Sequence, residues 1–216
     1  MTLEERYKGV IAWFQANRPM AESELQYTTP YELMVAVILS AQCTDKRVNM
    51  TTPAIFEQYP DVFALSRAAV EDIYRLIKSI SYPNSKANYL SAMSQKVVAE
   101  FGGVIPNNAE DLQKLPGVGR KTANVLLAVA FDTPAMPVDT HVFRVANRIG
   151  LVTRATTPLE VEKQLTQHIA PELLSIAHHW LILHGRYVCV ARKPKCTECG
   201  IVQYCKEYKE YKQPIG

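Results

Sequence analysis

A chain of 216 residues, 48% of them hydrophobic, is long enough for one generous core or two small ones. A formal net charge of +3 excludes a strongly polybasic or acidic chain, yet the charge is uneven: residues 1–110 carry 10 Lys and Arg against 12 Asp and Glu, and residues 111–216 carry 14 against 9. The second half is therefore the one suited to face a polyanion. No apolar run reaches membrane-spanning length, and residues 2–18 are amphipathic and charged where a secretory signal would be apolar. A soluble, cytoplasmic protein with no membrane partner is expected. Four of the five cysteines crowd into residues 189–205, which in a reducing compartment argues for a metal centre over disulfides.

In chain order, the pattern is helical throughout. Thr2-Leu3-Glu4-Glu5 reads as a capping box, followed by Tyr7, Val10, Ile11 and Phe14 at helical spacing until Pro19. Thr29-Pro30-Tyr31-Glu32 opens a second helix in the same way, and its nearly unbroken apolar run over residues 33–39 marks it as a core element. Another helix is expected from about Asp45, kinked or split by Pro53. Short helices over residues 61–66 and 68–80 end at Pro83. A long amphipathic helix over 84–101 closes at Gly102-Gly103, and Asn108 begins a short helix that leads to Leu115. Thr157-Pro158-Leu159-Glu160 is a further capping box for a helix to about Ile169, and Pro171 opens a last one that runs to Cys189. Nothing alternates with period two over a convincing length, and no internal repeat is visible, so the chain reads as all-α.

Pro116-Gly117-Val118-Gly119 must reverse the chain between the short helix and the apolar helix over residues 122–131, which makes it a tight hairpin. Such a hairpin is expected to leave the amides of Val118, Gly119 and Arg120 directed outward at the positive end of the second helix, where a phosphate binds well. Bare Gly117 and Gly119 would let a nucleic-acid backbone come close; taken alone, GxG is more often an ordinary turn, and it is the neighbouring residues that shift the weighting. Lys121 follows in the first helical turn, where the dipole and Arg120 oppose its charge and favour the neutral, nucleophilic amine; a plain phosphate contact is the other reading. Asp139 is the expected N-cap of a helix over 140–149, a role that also keeps its carboxylate rigid and suited to a cationic transition state. His141, two residues later, is a candidate to line the same site, whereas His178 and His179 read as packing residues. The spacing Cys189-x6-Cys196-x2-Cys199-x5-Cys205 suits zinc and [4Fe-4S] equally. Arg192, Lys193 and Lys195 lie between its first two cysteines, either as phosphate contacts or as a solvated charged loop.

The segments LPGVGRKTA and VDTHVFRV, with TTPYELMVAVILSAQCTD, NSKA and ILHGRYVC, resemble the helix-hairpin-helix DNA glycosylases, specifically their endonuclease III branch, over most of the chain. The resemblance implies a two-lobed fold. One lobe is a helical barrel over residues 22–132 that includes the hairpin motif at about 108–131; the other is an iron-sulfur lobe formed by 1–21 and 133–216, with DNA in the cleft between them. It implies that Lys121 attacks C1′ of a damaged nucleotide with help from Asp139, and that Cys189, Cys196, Cys199 and Cys205 hold one [4Fe-4S] cluster in a structural role. A lysine cannot reach into a duplex, so the nucleotide must be flipped and the gap filled. In the family a glutamine and a bulky residue do this at positions matching Gln42 and Tyr82, although Pro83 stands here where the family often has tyrosine. The implied activity is a monomeric bifunctional glycosylase and abasic-site lyase. It would remove oxidised or ring-saturated pyrimidines from double-stranded DNA and nick the strand 3′ to the abasic site by β-elimination. The alternatives are a sister glycosylase for mismatched bases or pyrimidine dimers and, from another class, a non-catalytic DNA-binding module, which would not need Lys121 and Asp139 together.

Overall fold

The computed structural model describes residues 1–208, which contain the eleven α-helices named below, three 3-10 turns, a further helical stretch at 206–208 and no strand. The helices are α1 (Leu3–Asn17), α2 (Pro30–Ser40), α3 (Asp45–Gln58), α4 (Val62–Ser66), α5 (Val70–Ile77), α6 (Pro83–Phe101), α7 (Ala109–Gln113), α8 (Arg120–Ala130), α9 (Thr140–Ile149), α10 (Pro158–His168) and α11 (Leu174–Tyr187). None is long and apolar enough to cross a membrane.

Local chemistry sets most of the boundaries. Complete capping boxes start α1 (Thr2 with Glu5) and α10 (Thr157 with Glu160). At α2 the Thr29 side chain accepts from the Glu32 amide, but Glu32 reaches back to Thr28 instead of closing the box on Thr29. Asn108 caps α7 as the sequence predicts. Pro53 does not split α3, which runs unbroken across it. An interior proline costs about 3 kcal/mol. Here the buried positions Val48, Thr51, Thr52 and Ile55 lie on both sides of it, and packing against α2 and α5 outweighs one missing hydrogen bond.

The described residues fold as two compact units. One is Ser23–Thr133, which holds α2 to α8. Its centre is α2, whose residues 33–39 are all buried, so this helix is apolar around its circumference because α3, α6 and α8 surround it. The second unit combines Met1–Glu22 with the chain from Pro134 onward. There α9 packs on α11, and Phe14 of α1 stacks on Trp180 with ring centroids 5.5 Å apart. The Trp180 indole donates to Arg18 O at 2.7 Å, and the buried Tyr7 hydroxyl donates to Leu151 O at 2.8 Å. The histidines read as packing residues are so: His178 and His179 are buried, Nδ1 of His178 lies 2.9 Å from Pro137 O, and burial lowers the His179 pKa to about 4.

Candidate active site and metal centre

The turn between α7 and α8 differs from the outward-facing hairpin the sequence predicts. The Val118 amide donates to Leu115 O at 3.1 Å and its side chain is buried, so this residue faces inward and offers no amide to a ligand. Gly119 N-caps α8, no side chain caps that helix, and the first helical bond runs from Ala123 N–H to Gly119 O at 2.9 Å. The positive end of α8 thus carries no side-chain cap and suits an anion, and Arg120 and Lys121 are exposed there. The two glycines also have different tasks. A Cβ on Gly119 would meet nothing within 4 Å, leaving that side open for close approach, whereas one on Gly117, at φ +79°, would lie 2.9 Å from Tyr89 Cβ. Gly117 is bare because the turn and Tyr89 require it. Gly117→Ala is accordingly expected to destabilise by about 1–3 kcal/mol and Gly119→Ala by less than about 1 kcal/mol, as read from urea unfolding midpoints.

Asp139 caps α9 through one oxygen. Oδ1 accepts from the amides of His141 and Val142, both at 2.8 Å, and Oδ2 has no partner among the described residues. The His141 ring is engaged as well, with Nδ1 3.2 Å from Arg144 Nη2. Arginine can only donate, so Nδ1 accepts and the ring proton sits on Nε2. Arg144 also donates to Gly185 O at 2.8 Å and to Cys189 O at 3.2 Å. One turn on, Arg148 donates to Val190 O at 2.9 Å and to Ala191 O at 3.1 Å, with Nη1 3.8 Å from Cys189 Sγ. Helix α9 therefore carries the carboxylate at its start and two arginines that fasten the cysteine loop. Sequence reasoning missed both arginines; the available signal was two cations four residues apart beside the buried stripe Val142, Val145, Ala146 and Ile149.

Gln42 and Tyr82 are both exposed, and both have left-handed backbones, at φ +52° and +56°. Non-glycine residues rarely adopt that region, and such positions cluster where function demands them.

The four cysteines are half-buried and gather at one place in the second unit. Cys189, Cys196 and Cys205 line a cavity of about 410 Å³ with Arg148, Pro194 and Tyr208, and all four cysteines line a second, smaller one with Ile149, His184 and Ile201. Burial pushes the Cys199 thiol up to about 11 and raises Cys205 as well. Four thiols drawn in from solvent around a hollow suit a group that ionises them on binding. No three His, Cys, Asp or Glu side chains among the described residues form a set for a single metal ion, so the fit rests on the cavity. Packing also anchors the loop, through fully buried Ile201 and through Trp13, which occupies the space a Cβ on Gly200 would need. Arg192, Lys193 and Lys195 are exposed on it, Lys193 with φ +54°.

Residues 35–171 match the HhH-GPD superfamily of base excision DNA repair proteins, and residues 189–205 match the iron-sulfur binding domain of endonuclease III. Endonuclease III of Rickettsia felis is 48% identical over 195 residues, covering 90% of this chain and 91% of that protein. The Escherichia coli K12 enzyme is 41% identical over 201 residues, covering 93% and 94%. A solved structure of a trapped endonuclease III–DNA covalent intermediate aligns with a TM-score of 0.92 at 38% identity, over 99% of this chain and 100% of that one. The chain belongs to the endonuclease III family of bifunctional DNA glycosylases and abasic-site lyases in base excision repair, and it carries that family's [4Fe-4S] cluster.

Proposed function

We propose that Lys121 is the nucleophile and that the substrate is duplex DNA bearing an oxidised or ring-saturated pyrimidine, or the abasic site derived from it. The observation that carries this reading is an exposed lysine, two residues after the open Gly119, in the first turn of a helix that no side chain caps. Nζ of Lys121 forms a bond to C1′ while the base leaves with the electrons of the glycosidic bond and takes up a proton. Opening of the sugar ring gives the Schiff base. Loss of a C2′ proton then expels the 3′ phosphate, and water hydrolyses the imine to release the enzyme. Asp139 stabilises the developing oxocarbenium charge through Oδ2. Gln42 and Tyr82 fill the gap left by the flipped nucleotide.

The amides of Gly119 and Arg120, with the Gly117 turn and buried Val118 shaping their approach, hold backbone phosphate. Arg192, Lys193 and Lys195 add further phosphate contacts, and His141 lines the site. Cys189, Cys196, Cys199 and Cys205 hold the cluster, which when bound cross-links the 189–205 loop and so presents its basic residues. The protein works as a monomer in the cytoplasm, where its thiols stay reduced.

Borohydride trapping on a duplex with one oxidised pyrimidine tests the reading: a covalent adduct is expected, and none from iron-loaded protein would exclude the lyase chemistry on that lesion. The metal assignment has its own check. Cys199→Ser is expected to lose the visible absorption and iron content, lower Tm by about 5 °C or more, and weaken duplex binding. Full iron content in that variant would remove Cys199 from the ligand set.

A further inference from the structure

We propose that Lys86 is a positioning residue for duplex recognition: its ammonium selects the backbone turn that presents Gln42 and ties that turn to the helix that Tyr82 begins. This deepens the reading above and rests on Gln42 and Tyr82 being the gap-filling side chains.

The chain leaves α2 through a four-residue turn closed by the Cys43 amide donating to Ser40 O at 3.0 Å. Ala41 has φ −55° and ψ 115°, and Gln42 has φ +52°. That is a type II turn, whose third residue is ordinarily glycine or asparagine. Left to local preference, a glutamine there would favour type I, which keeps the closing hydrogen bond and places the third residue near φ −90°. The two forms differ by a flip of the peptide between Ala41 and Gln42, and so by the direction of the Ala41 carbonyl. Lys86 Nζ donates to that carbonyl at 2.7 Å and to Leu39 O at 2.8 Å. Flipping the peptide breaks the first of these bonds, so the lysine holds the turn in the form that sets the direction of Gln42.

The same residue fixes the second candidate. Its amide donates to Tyr82 O at 3.1 Å, the first hydrogen bond of α6. Tyr82 N-caps that helix in the left-handed region with no side-chain cap of its own. Lys86 therefore joins Tyr82 through its backbone and Ala41 through its side chain, which sets the spacing of the two wedges before DNA arrives. Nothing local favours a lysine here. It is 4% exposed, sits in the first turn of α6 where the dipole opposes a cation, and its pKa is lowered by burial. The carbonyls at the negative end of α2 compensate.

Single-turnover assays on two substrates separate this role from plain structural support. Duplex DNA with one oxidised pyrimidine needs the wedges; β-elimination on a single-stranded abasic oligonucleotide needs only the nucleophile. Lys86→Met is expected to slow the duplex reaction by about 10- to 100-fold and the single-stranded reaction by no more than about twofold. It should also diminish the fluorescence rise of 2-aminopurine placed opposite the lesion, which reports unstacking. Should the methionine variant not fold, Lys86→Gln, which keeps a shorter donor, gives the same comparison. Equal losses on both substrates, or no loss on the duplex, would overturn the proposal. Gln42→Ala with Tyr82→Ala is run in parallel. If that pair leaves the duplex rate unchanged, the wedge assignment itself fails; if it slows the duplex and Lys86→Met does not, only the role of Lys86 fails.

Discussion

Lys121→Ala is expected to abolish the borohydride-trapped adduct and to lower strand cleavage at an abasic site by about three orders of magnitude or more, with the fold intact. The side chain is exposed and makes no ion pair among the described residues, so its removal leaves no cavity and no orphaned partner. Alanine is also the better helix former, and the change removes a cation from the positive end of α8, so Tm should hold or rise slightly. A loss of activity in this variant is therefore a loss of chemistry. Lys121→Arg separates the nucleophile from a mere phosphate contact. A guanidinium keeps the positive charge and donates to phosphate but does not form a Schiff base. Duplex affinity near wild type with no adduct is the expected result for arginine. An adduct that survives in Lys121→Ala would assign the attack to another amine.

What the sequence disclosed were the parts decided by neighbours in the chain. The capping residues Thr2, Asn108 and Thr157 start helices where their own spacing says they should, and the run at residues 33–39 identifies α2 as the core of its unit. What it concealed depends on partners distant along the chain. Pro53 reads as a break because the cost is local, while the packing of Val48, Thr52 and Ile55 that offsets it comes from other helices. Gly117 reads as a phosphate-facing glycine until Tyr89 is seen against it. Val118 reads as an exposed amide until Leu115 is seen to accept it. Lys86 shows the same limit: in the sequence of α6 it is one of two lysines, with Lys96, and only the positions of the Leu39 and Ala41 carbonyls show it to be a buried, doubly bonded cation. Arg144 and Arg148 acquire their meaning from carbonyls some forty residues away. The roles proposed for Lys121 and Asp139 came through the family motif, because one exposed lysine and one N-cap aspartate have bland explanations of their own.

The N-cap explanation for Asp139 is also what makes it testable. Its cap function uses Oδ1 alone, and asparagine keeps that oxygen, so Asp139→Asn should preserve both amide bonds and change stability by no more than about 1 kcal/mol. The negative charge is lost, and with it whatever Oδ2 contributes to an oxocarbenium ion. Excision of a damaged base is then expected to fall by about 10²- to 10³-fold. Asp139→Ala should show the same chemical loss plus about 1 kcal/mol from the missing cap, so the difference between the two variants measures the cap separately. A preformed abasic site decides what the carboxylate does. There the glycosidic bond is already broken, so a purely electrostatic role in its cleavage predicts that Asp139→Asn retains most of the lyase rate. A carboxylate whose main task is to take the proton from Lys121 would instead be needed for both reactions, and both would fall together. With Oδ1 committed to two amides and the side chain held half-buried at the start of α9, the geometry favours a fixed charge over a mobile base, so excision should fall much further than β-elimination.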